Sequence, residues 1–140
     1  MTVPGSIREA SVFVDTSAFY ALLDRDDQWH SKAEENFTAL AREKRPLFTS
    51  NLVVAETYLL TLRFLGWQTA RRWLAALDIN LILQSEIDHK KAQTILDKYA
   101  DQSFSYTDAV SFALMERVGI KAALAFDWHF QQYGWEVFLA

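Results

Sequence analysis

VFVDTS, residues 12–17, is the stretch that decides the fold. Three apolar residues that favour strands lead directly into Asp15, and a helical pattern follows with Ala18 and Phe19. A continuous apolar run of this kind predicts a buried strand of a parallel sheet, ending in a turn that holds Asp15 and Ser17. Ligands of open α/β sheets bind in the crevice at the carboxyl ends of the strands. The stretch therefore predicts a functional site that contains Asp15.

The composition is that of a globular protein with a buried core. The chain has 140 residues, of which 51% are hydrophobic and 23% are charged, and we expect a single domain over residues 1–140 whose first ten residues form a flexible lead. The absence of cysteine excludes disulfides and thiolate metal ligands. A net charge of -4 argues against binding nucleic acid by bulk electrostatics, although it allows a local contact.

Two further classes of protein are excluded by the distribution of residues. The 4 glycines are too far apart to build a phosphate-binding loop or a dinucleotide-binding fingerprint. No apolar run is long enough to span a bilayer, and residues 1–6 lack the apolar core of a signal peptide. We therefore expect a cytoplasmic protein.

Strands and helices alternate along the chain. Further strands are predicted at residues 46–50, 81–83, 122–126 and 135–139, the last at a sheet edge. Helices are predicted after residue 17, from an N-cap at Asp27 through Trp29 to Ala41, and at residues 52–65, 67–77, 87–99 and 107–118. This alternation predicts an α/β fold with a mainly parallel sheet and helices on both faces.

Two further acids, Asp127 and Asp108, are expected at the edge of the sheet where Asp15 lies. Asp127 follows the apolar run 122–126 as Asp15 follows the first strand, and the ends of neighbouring parallel strands lie close together. Asp108 belongs to SYTD, residues 105–108, which matches a capping box at the start of a helix. Helix capping is the alternative role for each of the three.

Glu56 differs from these acids because it lies in the middle of a predicted helix and cannot cap it. Val53 and Leu60 share its helix face, and an acid among apolar side chains needs a cation; an exposed glutamate at the edge of the apolar stripe is the alternative. Clustered carboxylates raise one another's pKa, and Mg²⁺ or Mn²⁺, which prefer oxygen ligands, would remove the conflict. The residues thus predict an acidic metal site at the strand ends.

The ordered motifs resemble those of the PIN-domain nucleases. They are VFVDTS at 12–17, VAE at 54–56, YTDA at 106–109 and AFDWHF at 125–130. Within this family the chain is most similar to the VapC-like toxins of toxin–antitoxin pairs. The resemblance implies a three-layer α/β/α domain with a mainly parallel sheet of about five strands, and an Mg²⁺- or Mn²⁺-dependent endoribonuclease that leaves a 5′-phosphate and a 3′-hydroxyl.

Carried over by position, the resemblance also implies the residues of the site. The catalytic and metal-binding acids would be Asp15, Glu56, Asp108 and Asp127, with Ser17 as a polar helper. Ala125 departs from the family pattern, because many members have Thr or Ser two residues before the fourth acid. This departure removes the hydroxyl that would serve as a ligand or hydrogen-bond partner beside Asp127. His129 lies beside the implied site, and we expect it in a surface turn, with contact to substrate as the alternative.

The resemblance further implies an RNA substrate, an antitoxin that lays an amphipathic segment over an apolar groove, and a homodimer. Two alternatives within the family are a nuclease of RNA processing outside toxin–antitoxin systems and a degenerate PIN domain that only binds RNA or protein. A receiver domain would need paired acids after an early strand and a lysine at a strand end. A phosphatase of the Asp-x-Asp type would need an acid in place of Ser17.

Overall fold

The five strands of the computed structural model, which describes residues 9–139, form one parallel sheet. They are β1 (Val12–Val14), β2 (Leu47–Ser50), β3 (Asn80–Ile82), β4 (Ala122–Leu124) and β5 (Glu136–Val137). Their spatial order is β3-β2-β1-β4-β5, so β1 is central and β5 lies at an edge, as predicted. The predicted flexible lead, residues 1–10, lies mostly outside the described residues. Its last two residues, 9 and 10, are described and are helical.

Seven helices are present within the described residues. They are α1 (Thr16–Leu23), α2 (His30–Arg42), α3 (Asn51–Leu65), α4 (Trp67–Ala76), α5 (Glu86–Lys98), α6 (Tyr106–Val118) and α7 (His129–Tyr133). Helix α1 contacts α2 and α3, and α3 contacts α4, whereas α6 contacts α5 and α7. The predicted α/β/α fold, with two groups of helices around a parallel sheet, is confirmed.

The core explains why the VFV run is so uniformly apolar. All three residues of β1 have no exposed surface, since β2 and β4 flank the strand and helices cover the sheet. The Phe13 ring stacks on Phe130, with the ring centroids 6.4 Å apart, and Phe130 contacts Phe112 of α6 edge-to-face at 5.0 Å. Burying one such side chain stabilises the fold by about 1.5–3 kcal/mol. The site residue Asp15 is thus anchored to the most buried strand.

Several predicted boundaries differ from the structure: the last strand, predicted at residues 135–139, spans only Glu136–Val137, and two further differences have a physical reason. Strand β4 ends at Leu124 and not at Phe126, because its partner β1 ends at Val14, which pairs with Leu124. Helix α2 begins at His30, because the Asp27 carboxylate accepts a hydrogen bond from the Trp29 backbone N–H (2.8 Å) and forms a turn before the helix.

No helix within residues 9–139 is long and apolar enough to cross a membrane.

Candidate functional site

Asp15 lies at the carboxyl end of the central strand and caps α1. Its Oδ2 accepts hydrogen bonds from the Ser17 backbone N–H (3.2 Å) and from the Ser17 hydroxyl (2.8 Å). Its own backbone N–H donates to the Leu124 carbonyl of β4 (3.0 Å). The side chain is buried, with the residue only 2% exposed. Both of its possible roles, helix cap and member of a shared site, are therefore compatible with the same position.

Ser17 joins the ends of two neighbouring strands. While its hydroxyl donates to Asp15, the same oxygen accepts a hydrogen bond from the Phe126 backbone N–H (2.9 Å). The segment that follows β4 is thereby tied to the turn that follows β1. Ala125 carries no hydroxyl, and the hydroxyl that orders this segment comes from Ser17 instead.

Asp108 is held at the start of α6 by the predicted capping box. Its Oδ2 accepts from the Ser105 backbone N–H (3.0 Å), and the Ser105 hydroxyl accepts from the Asp108 backbone N–H (3.0 Å). A third partner comes from a distant part of the chain, because the His129 Nδ1 lies 2.6 Å from the same Oδ2. The Asp108 carboxylate is thus buried and fixed in position.

His129 and Asp127 complete the arrangement. The Asp127 Oδ1 accepts a hydrogen bond from the His129 backbone N–H (3.1 Å). One carboxylate oxygen each from Asp108 and Asp127 and one ring nitrogen of His129 lie within 4.8 Å of one another. The prediction of a surface turn for His129 is therefore wrong. No local signal could have found this contact, since 21 residues separate its two partners.

The three carboxylates are close enough to repel one another. Burial raises the pKa of Asp15 well above its usual range, and the charges of Asp127 and Asp108 add to this, against hydrogen bonds from Ser17 that lower it. The pKa of Asp127 is also raised, by burial and by the charge of Asp108, against hydrogen bonds with His129 and Asp15. We call Asp15, Asp108 and Asp127 the acid cluster.

This donor set fits a hard divalent cation. Carboxylate oxygens dominate it, with one imidazole, and their like charges conflict unless a proton or a cation lies between them. Mg²⁺ and Mn²⁺ prefer such oxygen ligands. Asp108, Asp127 and His129 can therefore hold a divalent ion.

Glu56 lies half-buried in the middle of α3, on a helix face with the buried Val53 and the half-buried Leu60. Within residues 9–139, the group of side chains that could share one ion contains Asp108, Asp127 and His129, and neither Glu56 nor Asp15 is part of it. The role of Glu56 as a metal ligand remains a prediction.

A groove gives access to the acid cluster from the surface. It has a volume of about 310 Å³ and is lined by Ser17, Tyr20, Trp29, Phe126 and Asp127, among others. The rings of Trp29 and Phe126 stack in parallel along it, with centroids 5.5 Å apart and an angle of 3° between the ring planes. A ligand bound in this groove would contact both aromatic rings and a member of the acid cluster.

A comparison of sequences identifies the family to which the chain belongs. The sequence pattern of the PIN domain matches residues 12–136, and the chain belongs to the PIN-domain family. The predicted family is therefore confirmed.

Comparisons with individual proteins identify a more specific relative within this family. The chain is 35% identical, over 130 residues that cover 88% of it and 94% of the relative, to the 23S rRNA-specific endonuclease VapC20 of Mycobacterium tuberculosis. The crystal structure of that protein, described as a toxin that cleaves the sarcin–ricin loop, matches with a TM-score of 0.84 and 30% identity, over 92% of this chain and 99% of that one. The predicted resemblance to VapC-like toxins is confirmed.

A more distant structure has the same fold. A toxin–antitoxin complex from Klebsiella pneumoniae contains a chain that matches with a TM-score of 0.63 and 17% identity, over 91% of this chain and 95% of that one. This similarity extends the shared fold to a chain of low sequence identity.

Proposed function

We propose that this chain is a metal-dependent endoribonuclease of the VapC type, the toxin of a toxin–antitoxin pair, which hydrolyses RNA phosphodiester bonds in the cytoplasm. The observation that carries the proposal is the acid cluster, which lies at the carboxyl ends of β1 and β4 and at the start of α6 in a PIN domain. The 35% identity to a 23S rRNA endonuclease supports the same activity.

The residues that would hold the ion are Asp15, Glu56, Asp108 and Asp127. A bound Mg²⁺ or Mn²⁺ supplies a water of lowered pKa and neutralises negative charge that develops on the phosphate. Ser17 is proposed as the polar helper of Asp15.

The chain's own contacts support this assignment because they fix the carboxylates before any ligand binds. Ser17 donates two hydrogen bonds to Asp15, and the capping box of α6 sets the rotamer of Asp108. His129 contacts Asp108 through its ring and Asp127 through its backbone N–H, so it positions both acids. A site held in this way loses little free energy to rearrangement when substrate binds.

Ribosomal RNA is the first substrate to test, since the similar VapC20 acts on 23S rRNA. Purified protein is incubated with 23S rRNA in Mg²⁺, in Mn²⁺ and in EDTA, beside an Asp108→Asn control. We expect discrete fragments with 5′-phosphate and 3′-hydroxyl ends in either metal, and none in EDTA or with the variant. Equal cleavage by Asp108→Asn would contradict the proposal, and the absence of cleavage under all conditions would favour a non-catalytic PIN domain.

An antitoxin partner and a homodimer are also proposed. Their support is a set of exposed apolar side chains on α3: Leu59 and Leu62, three residues apart on one helix face, are 59% and 40% exposed, and Phe64, on another face, is 63% exposed. Apolar surfaces of this kind mark sites of protein association. Light scattering of the purified chain, and of the chain with Leu59→Asp, measures the oligomeric state; a monomer at every concentration would contradict the dimer.

A further inference from the structure

Trp128 is an exposed tryptophan held beside the acid cluster. It is 74% exposed, and no aromatic ring within residues 9–139 packs against it at the contact distances seen for the other ring pairs. Its backbone is fixed, because the hydrogen bond from the His129 N–H to the Asp127 Oδ1 closes the turn that contains it (3.1 Å). Large apolar side chains exposed in this way mark ligand or interaction sites.

A second aromatic surface, formed by Trp29 and Phe126, lines the same cavity as Asp127 and Trp128. Trp29 is 41% exposed and stacks on Phe126, with parallel rings and centroids 5.5 Å apart. The turn before α2 holds it there, through the hydrogen bond from its backbone N–H to the Asp27 carboxylate (2.8 Å). The hydrogen bond of Ser17 to the Phe126 N–H fixes the other ring of the pair. Both residues of the stack are therefore held in place, and Phe126 is linked through Ser17 to Asp15 of the acid cluster.

A cavity lies between these aromatic residues. It has a volume of about 160 Å³ and is lined by Trp29, Phe126, Asp127, Trp128, Gln131 and Leu139, among others; we call it the aromatic cavity. It is smaller than the pockets of drug-sized ligands, which measure about 300–1,000 Å³, so it suits a single planar ring system. Asp127 is the charged group of its lining, which disfavours a phosphate and favours a neutral ligand.

We propose that the aromatic cavity binds one unstacked nucleobase of the RNA, next to the phosphate that lies at the acid cluster. This inference rests on the proposed function and adds a substrate class to it, namely RNA with single-stranded or looped-out nucleotides. Aromatic rings stack on any base, while the Gln131 amide, which offers donors and an acceptor, can select a base edge. Because Asp127 belongs to both the cavity and the acid cluster, the bound base positions the neighbouring phosphate.

The first test measures binding without cleavage. A fluorescein-labelled single-stranded RNA of mixed sequence, and the same RNA annealed to its complement, are titrated into Asp108→Asn protein in Mg²⁺ by fluorescence anisotropy. In this background we expect Trp128→Ala to raise the Kd for single-stranded RNA at least about fivefold, as expected for the loss of one base–aromatic stack, and to leave the Kd for duplex RNA unchanged. Trp128→Phe should restore most of the affinity.

The matched control is Trp67→Ala, because Trp67 is also an exposed tryptophan (53%) but lies at the start of α4 and contacts Arg71. It should leave the Kd for single-stranded RNA unchanged. Equal Kd values for Trp128→Ala and its parent would overturn the inference, and a change in oligomeric state instead of in RNA binding would assign the cavity to a protein contact.

The second test is a cycle that combines the protein variant with a modified RNA. The wild type and Trp128→Ala, both with Asp108 intact, are given a synthetic RNA that contains the cut site. An abasic nucleotide is placed in turn on each side of the cut. One abasic position should lower kcat/KM for the wild type about as much as Trp128→Ala does, and should cause no further loss in Trp128→Ala. Losses that multiply would overturn the cavity as the base site. If the wild type cuts no RNA while the binding test gives the expected result, the proposed function fails and the base site stands.

Discussion

Two capping boxes in this protein have the same sequence pattern and different surroundings. Ser85 and Asp88 begin α5, and Ser105 and Asp108 begin α6. In both, the Asp Oδ2 accepts from the N-cap backbone N–H, at 2.7 Å and 3.0 Å respectively. Both carboxylates are buried, with the residues 1% and 6% exposed. Locally the two differ only in a further hydrogen bond from the Ser85 hydroxyl to the Asp88 Oδ2 (3.0 Å).

The difference lies in the partner that each carboxylate meets across the fold. Arg117 donates to both oxygens of Asp88, from Nε to Oδ1 (2.8 Å) and from Nη2 to Oδ2 (2.9 Å). Burial alone would raise the pKa of Asp88, but the hydrogen bonds from Arg117 and Ser85 outweigh it and lower that pKa. Asp108 instead meets His129 and two further acids. The S-x-x-D pattern thus decides where a helix starts, and the tertiary partner decides whether the carboxylate is neutralised or available.

The largest expected effect is that of replacing the carboxylate of the second capping box, which should lower the rate of RNA cleavage. Asp108→Asn keeps an oxygen for the capping box and removes one charge from the acid cluster. We expect the rate of cleavage to fall by about 100- to 1,000-fold, with little change in the free energy of unfolding. Initial rates on ribosomal RNA and urea denaturation measure the two quantities.

Asp88→Asn is the matched control and should show the reverse. It leaves Arg117 without its charged partner, and hydrogen bonds to charged groups contribute about 1.5–3 kcal/mol each. We expect the free energy of unfolding to fall by about 2 kcal/mol and the cleavage rate of the folded protein to stay within about threefold of the wild type. A catalytic defect of equal size in both variants would mean that the two boxes do not differ in function.

A smaller effect is expected on thermal stability in the presence of metal. An ion that binds only the folded state adds about 2.7 kcal/mol at a hundredfold excess over its Kd. Mg²⁺ or Mn²⁺ should therefore raise the Tm of the wild type and of Asp88→Asn relative to EDTA, but not that of Asp108→Asn. Differential scanning calorimetry gives the values, and an equal rise in Asp108→Asn would place the ion elsewhere.

The smallest effect is the dependence of stability on pH. It has opposite signs for Asp15, in the acid cluster, and for Asp88, which is paired with Arg117. The pKa of Asp15 is raised in the folded state, so in EDTA its ionisation destabilises the fold as pH rises from about 4 toward that pKa. Asp15→Asn should then have a higher Tm than the wild type at neutral pH and lose the advantage near pH 4. The pKa of Asp88 is lowered, so the stability that it provides is present above about pH 4 and is lost as pH falls through the folded pKa. Melting curves in EDTA across this range test both signs.

The sequence predicted most of the fold because its signals are local. Three apolar residues before Asp15 predict β1, and the pattern Ser105–Asp108 predicts the start of α6; both predictions are confirmed. The length of β4 could not be read in the same way. The apolar run continues through Phe126, but a strand continues only as far as its partner, and β1 ends opposite Leu124.

The candidate site was predictable where a local pattern at the start of a helix fixes the acid. Asp15 and Asp108 are of this kind, and the structure brings them close to Asp127. The contact of His129 with Asp108 depends on tertiary packing, as does the exposed stack of Trp29 on Phe126. The spacing of Trp29 from Ala33 predicted a helical position, whereas the turn at Asp27 places the ring outside that helix and over the groove.

The double role of Asp15 and Asp108, as helix caps and as members of the acid cluster, has a genetic consequence. Asparagine caps a helix as well as aspartate does, and the codons of these two residues differ by a single base. A single nucleotide change at either position is therefore expected to give a protein that folds normally and no longer harms its host. If the chain has the proposed antitoxin partner, such a silent form would compete with the active form for it.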